Sequence, residues 1–128
     1  MKNLKYILLL TLLTSCSSFV PASEQNISVD NYSQQTVQGF TIRTQTGAFD
    51  FTFGKIDNIH HTEIGQAGYS GPMRIKPTDI CNILWIDFNG ITQTNIVDLR
   101  KIPYIHRGDN LLFTLQSNNL ITVKPFKL

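Results

Sequence analysis

Apolar and polar side chains alternate along most of the chain after residue 26, and this period of two constrains the fold more than any other feature. The clearest runs are Phe49, Phe51 and Phe53 in one segment and Leu111, Phe113 and Leu115 in another. Successive side chains of a β-strand point to opposite faces, so such runs place their apolar residues on one buried face. Helical spacing is nearly absent. The sequence therefore predicts an all-β protein.

Turn-forming residues divide the chain into seven or eight short strands. Residues 80–88 form the most continuous apolar run, which predicts a central strand with Trp85 in the core. Asn89-Gly90 follows at once and is typical of a type I′ hairpin, so residues 91–99 should return antiparallel. We therefore expect a small antiparallel β-sandwich, immunoglobulin-like or transthyretin-like in general form, with a small open barrel as the alternative.

The N-terminus has the features of a secretory signal. Lys2 and Lys5 precede an apolar run over residues 7–13 that is too short to span a bilayer. The residues that follow, Leu13-Thr14-Ser15-Cys16, resemble the lipobox of bacterial lipoproteins, and this resemblance covers residues 1–16 alone. It implies that residues 1–15 are a signal peptide that is removed, and that Cys16 becomes the acylated first residue.

The resemblance also implies a location. Ser17 stands where an Asp would mark retention in the inner membrane, which implies the periplasmic face of the outer membrane. Residues 16–26 mix Ser, Pro, Ala, Glu and Gln, a composition that predicts a lipidated, flexible tether. The sandwich domain is then expected over residues 27–128, with the membrane contacted through lipid.

Charge and cysteine content exclude two classes of protein. The chain has 11 basic and 9 acidic side chains, and removal of Lys2 and Lys5 with the signal leaves nine of each. Such a balance gives no electrostatic basis for binding nucleic acid. Cys81 is the one cysteine besides Cys16, so an acylated chain has no intrachain disulfide. Its apolar neighbours predict a buried, inert thiol.

His60-His61-Thr62-Glu63 is the one cluster that resembles a set of metal ligands. On a strand, His61 and Glu63 share a face and His60 points the other way, so a third ligand such as His106 would have to come from a distant strand. Exposed polar residues are the ordinary explanation, and we assign no metal and no cofactor. A small-ligand or metal-binding lipoprotein that uses His60, His61 and Glu63 is the alternative function.

Two predicted loops hold the candidate binding residues. The glycine-rich segment 65–72 is expected to be a loop that presents Tyr69 and Ser70, and Arg107 lies in a predicted turn before the next strand. Ser70 lacks the Gly-x-Ser-x-Gly arrangement of a nucleophile. The spacing of Asp50, Asp87 and Asp98 does not place any two at catalytic distance, so no catalytic residue is assigned.

These observations together favour a non-catalytic, lipid-anchored periplasmic β-domain that binds another envelope protein. Its partner-binding residues would include Tyr69, Ser70 and Arg107. An accessory subunit of a secretion apparatus and an immunity-type lipoprotein both fit this description.

Overall fold

Eight β-strands form half of residues 24–58 and 67–127, the parts of the chain that the computed structural model describes. They are β1 (Gln25–Asn31), β2 (Gln38–Thr44), β3 (Asp50–Thr52), β4 (Ala67–Gly71), β5 (Ile80–Ile86), β6 (Thr92–Asp98), β7 (Asn110–Leu115) and β8 (Ile121–Phe126). A short 3-10 helix, Leu99–Lys101, follows β6.

The strands make two four-stranded sheets that pack face to face as a sandwich. The first sheet has the order β4-β1-β7-β8, and the second has the order β3-β2-β5-β6. Each sheet keeps its own edge strands, so the predicted sandwich is confirmed and the open barrel is wrong. The predicted hairpin is also present, since β5 and β6 pair antiparallel from Ile86↔Thr92 to Ile80↔Asp98.

One pair of neighbours departs from the predicted antiparallel arrangement. β1 and β7 run parallel, with Ile27 beside Leu111 and Asn31 beside Leu115, whereas all other neighbouring strands of the described residues are antiparallel. A parallel pair needs a long connection rather than a hairpin. Here the chain builds β2 to β6 before it returns to β1.

Alternate residues of each strand form the core between the sheets. Buried positions include Cys81, Ile83 and Trp85 on β5 and Leu111, Phe113 and Leu115 on β7. The Trp85 side chain is 1% exposed, and its ring stacks on Phe40 with the centroids 6.0 Å apart. This confirms Trp85 as a core residue of an inner strand. Phe49 and Phe53 are also buried, and Phe51 packs half-buried against the same core.

β1 begins two residues before the expected domain boundary, at Gln25. The Gln25 side chain is 2% exposed, donates hydrogen bonds to the carbonyls of Ile75 (3.0 Å) and Asp109 (2.7 Å), and accepts one from the Ile75 amide (2.7 Å). A buried amide is tolerated because its polar atoms are bonded. Residues 25 and 26 therefore belong to the sheet, although their polar composition is typical of a tether.

Most of the predicted glycine-rich loop, residues 65–72, is instead a strand, because Ala67–Gly71 forms β4 and pairs with β1, while residues 65 and 66 lie outside the described residues. Close packing accounts for one of its glycines. A Cβ atom at Gly71 would collide with the hydroxyl of Tyr69. Glycine at this position therefore allows the Tyr69 side chain to lie close to the backbone of an edge strand, and it does not form a turn.

The turn between β5 and β6 differs from the predicted type I′ form. The Gly90 amide donates to the Asp87 carbonyl (3.0 Å) and the Asp87 amide to the Ile91 carbonyl (2.9 Å). Gly90 has φ of 78°, but Asn89 has no positive φ. This is the three-residue loop in which one left-handed residue forms a bulge after a type I turn. The loop between β7 and β8 repeats it, with Asn119 at φ of 62°.

We expect Gly90→Ala to lower the free energy of unfolding by about 1–2 kcal/mol, because a left-handed conformation has that cost for a residue with a Cβ atom. No other atom lies within 4 Å of the added methyl group, so the effect would come from the backbone. Gly54→Ala is the matched control, since Gly54 has equal space and no left-handed φ. Urea unfolding measures both variants, and equal destabilisation would contradict this assignment.

Candidate functional site

The two ends of the sandwich are chemically different. Gln25, at the start of β1, joins the segment before β5 and the turn before β7 through its bonds to Ile75 and Asp109. We call this region, made of residues 24–26, 69–79 and 98–109 with Lys127, the N-terminal end. It is where the chain enters the domain from the preceding segment.

The opposite end, which we call the distal end, is made of residues 31–38, 54–58, 86–92 and 116–121. The side chain of Asn31 joins two of these segments by donating to the Ile56 carbonyl (3.0 Å). Asn95 of β6 donates to the Asn119 carbonyl (3.1 Å), which ties the β7–β8 loop to the second sheet. Gln38 pairs with Ile86, so the β5–β6 loop lies at this end as well.

Four large apolar side chains are exposed at the distal end, and we call them the distal apolar residues. They are Ile86 (41% exposed), Phe88 (73%), Ile91 (57%) and Leu120 (52%). The first three belong to the β5–β6 hairpin and the fourth to the β7–β8 hairpin. Ile96 (65%) and Tyr104 (56%) are exposed elsewhere, so four of the six exposed large apolar side chains among the described residues lie at this end.

Phe88 is held on an ordered loop rather than a mobile one. One carboxylate oxygen of Asp87 accepts hydrogen bonds from the amides of Asn89 (2.9 Å) and Ile91 (2.9 Å), and the other accepts from the Gln93 side chain (3.0 Å). These bonds lower the pKa of Asp87, the Ile91 amide contributing most. A loop fixed in this way loses little conformational freedom when its aromatic residue is bound.

A cleft lies beside two of the distal apolar residues. Its volume is about 440 Å³, and Ile86 and Phe88 form part of its wall together with Thr36, Gln38 and Lys55. The cleft is thus open and combines apolar side chains with polar ones, unlike an enclosed, mostly apolar small-molecule pocket.

The predicted binding residues lie at the N-terminal end instead. Tyr69 is on β4, where its ring packs on Phe49 (5.0 Å) and Phe51 (4.9 Å) and its hydroxyl accepts from the Met73 amide (3.0 Å). Its ring is therefore engaged in core packing, contrary to the flat loop surface that the sequence predicts. Ser70 is exposed and donates to Glu24 (2.9 Å).

Arg107 is exposed in the turn before β7, as predicted. It borders a cavity of about 190 Å³ together with Gln25, Arg74 and Lys76. The structure thus brings Ser70 and Arg107 to one end of the domain, and the distal apolar residues to the other.

The sequence missed the distal apolar residues because Phe88 and Ile91 continue the apolar run of β5 and β6 across the turn. One signal could have found them. Asn89-Gly90 fixes the turn, and an aromatic residue directly before it projects from a hairpin tip, where polar residues are usual.

The histidine cluster falls outside the residues that the structure describes, since His60, His61 and Glu63 lie within 59–66. His106 is described, and its Nδ1 lies 3.7 Å from an Asp109 carboxylate oxygen. Within residues 24–58 and 67–127, no group of three or more His, Cys, Asp or Glu side chains could hold a metal ion.

The three carboxylates considered for catalysis are separated and serve the fold. Asp50 binds Arg43 (3.0 Å), Asp98 binds Arg100 (2.8 Å), and Asp87 orders its hairpin loop. Cys81 is buried, and desolvation followed by the charge of Asp79 raises its pKa to about 12. The thiolate needed for nucleophilic chemistry is therefore negligible at neutral pH.

Comparison with known proteins adds no family to this description: no protein-family model, curated protein or solved structure matches the chain. Among the described residues, no helix has the length and apolar character to cross a membrane.

We expect Asp87→Asn to loosen the β5–β6 loop and to lower stability at neutral pH, because the amide keeps the shape of the side chain but loses its charge. The pKa of Asp87 is lower in the folded state, so the carboxylate stabilises the fold above its unfolded pKa of about 4. That contribution disappears as the pH falls through the folded pKa. The difference between the two proteins in urea unfolding should therefore shrink as the pH falls from neutral to below the folded pKa of Asp87. A difference that grew on acidification would contradict this role.

Proposed function

We propose that this protein is a non-catalytic lipoprotein on the periplasmic face of the outer membrane, and that its distal end binds another envelope protein. An accessory subunit of a secretion apparatus and an immunity-type lipoprotein are two forms that this function could take. The distal apolar residues are the observation that carries the proposal.

Their exposure supports protein binding on energetic grounds. Phe88 is 73% exposed and sits on a loop whose geometry is fixed by Asp87. Aromatic and branched side chains on a preordered surface are typical anchors of interfaces, since burying one against a partner contributes about 1.5–3 kcal/mol. The free protein leaves this apolar area in water.

The position of the anchor supports the same conclusion. Glu24 is eight positions after Cys16, so the tether spans at most about 26 Å when extended. β1 then enters the sandwich at the N-terminal end, which keeps that end close to the bilayer. The distal end is on the far side, where the membrane does not obstruct a partner.

We expect Cys16→Ala to abolish labelling with a radioactive fatty acid and to leave the precursor uncleaved, because the alanine side chain has no sulfur to acylate. Labelling of whole cells followed by immunoprecipitation measures both effects. Cys81→Ala is the matched control and should label normally. Continued labelling of the Cys16→Ala protein would refute the anchor.

We expect Phe88→Ala to reduce recovery of the partner about tenfold or more, since truncation of an anchor residue costs upward of about 1.4–2 kcal/mol of binding. The measurement is chemical cross-linking in intact cells, with partner and bait identified by mass spectrometry and confirmed by reciprocal purification. Leu120→Ala should act in the same direction.

Tyr104→Ala is the control for this experiment, because Tyr104 is 56% exposed and does not line the cleft beside Ile86 and Phe88. All three variants should unfold within about 0.5 kcal/mol of the parent protein, as surface substitutions do. Equal recovery of the partner by Phe88→Ala and Tyr104→Ala would contradict binding by the distal end.

A further inference from the structure

Positive charge is concentrated at the N-terminal end. Of the nine Lys and Arg residues within residues 24–58 and 67–127, this end holds six: Arg74, Lys76, Arg100, Lys101, Arg107 and Lys127. It holds four carboxylates, whereas the other described residues have three cations and four carboxylates. The N-terminal end therefore carries a net positive charge, whereas the rest of the described domain does not.

Three of the four carboxylates at this end are bonded to neighbouring groups of the protein, whereas Glu24 is exposed. Asp79 is 6% exposed and accepts the Lys76 amide (2.7 Å), while Asp98 binds Arg100 and Asp109 accepts the His106 amide (2.8 Å). Lys76 and Arg107, by contrast, are exposed. The exposed cations at this end therefore outnumber its exposed carboxylates, which favours the approach of an anion.

Two of these cations and the half-buried Arg74 border one cavity. Its volume is about 190 Å³, and its remaining wall includes Gln25, Ile75 and Gly108. The Gln25 side chain is fixed by its bonds to the Ile75 backbone and the Asp109 carbonyl, so the cavity is built on a rigid base. Guanidinium and ammonium groups around a small recess are the groups that proteins use to bind phosphate.

The chain itself brings this cavity to a membrane. Gln25 lines the cavity and directly follows the last residue of the tether, whose reach from Cys16 is at most about 26 Å. Charged groups held within such a distance can settle onto an anionic surface, where the attraction extends over a Debye length of roughly 8 Å.

We propose that the cavity bordered by Arg74, Lys76 and Arg107 binds the phosphate of an anionic phospholipid in the bilayer that holds the acylated Cys16. This inference rests on the proposed lipid anchor. The contact would hold the N-terminal end against the membrane and direct the distal apolar residues away from it.

The test uses the full acylated protein, reconstituted into vesicles of phosphatidylcholine alone or of phosphatidylcholine mixed with phosphatidylglycerol. Flotation of the vesicles reports the anchor, and amide hydrogen exchange reports the contact. We expect exchange in segments 72–76 and 106–109 to be several-fold slower on the mixed vesicles than on the neutral ones. High salt should remove the difference, because it screens the attraction.

The variants Lys76→Gln and Arg107→Gln, combined, should abolish this slowing without changing flotation. The matched control combines Lys55→Gln and Lys124→Gln, which removes the same charge elsewhere on the surface and should preserve the slowing. Loss of the slowing in both double variants would show attraction by net charge alone and would overturn the site.

The remaining outcomes separate the two proposals. Vesicles that float with the protein but show equal exchange on both lipid compositions would overturn the phospholipid site and leave the anchor standing. Failure to float with either vesicle would overturn both. If inorganic phosphate slowed exchange on neutral vesicles as much as phosphatidylglycerol does on mixed ones, the cavity would be a site for free phosphate, and the bilayer contact would be wrong.

Discussion

The pairing of β1 with strands on both sides determines how the first sheet is assembled. β1 pairs with β4 on one side and β7 on the other, and all but one of its residues are buried. Gln25 extends this role beyond the strand, because its side chain joins the segments that precede β5 and β7. The position of β1 thereby fixes which end of the sandwich receives the N-terminal segment and which end is left free.

This fixed direction separates two kinds of surface. Turns that precede β5 and β7 meet at the N-terminal end and contribute most of the described cations, whereas the β5–β6 and β7–β8 hairpins contribute exposed apolar side chains at the other end. Binding at either surface would not require an enclosed pocket. In a lipid-anchored protein of this size, such a division would let one end bind phosphate groups and the other end bind a protein.

Period-two alternation predicts much of the core, because the face that a strand residue occupies follows from its neighbours in sequence. Trp85 and the β5–β6 hairpin illustrate this success. Alternation does not define which strands become neighbours, so the parallel β1–β7 pair was not predictable. Gln25 and β4 were missed for a related reason: their polar and glycine residues are typical of loops, and the backbone groups that accommodate them lie far away in sequence. Phe88 was missed as a surface residue because it continues a buried run.

The parallel β1–β7 pair also bears on how the chain acquires its structure. The Gln25 side chain reaches the Asp109 carbonyl across 84 positions, so the first strand meets its second neighbour only after the residues up to β7 have been made. Until then one edge of β1 has no partner in the first sheet, and an open strand edge favours association between unfinished chains. Contacts of such long sequence separation also slow folding, because loop closure precedes the gain from pairing. A newly synthesised chain would consequently expose an unpaired strand edge to other chains for longer than a sandwich of the same size that is built from hairpins.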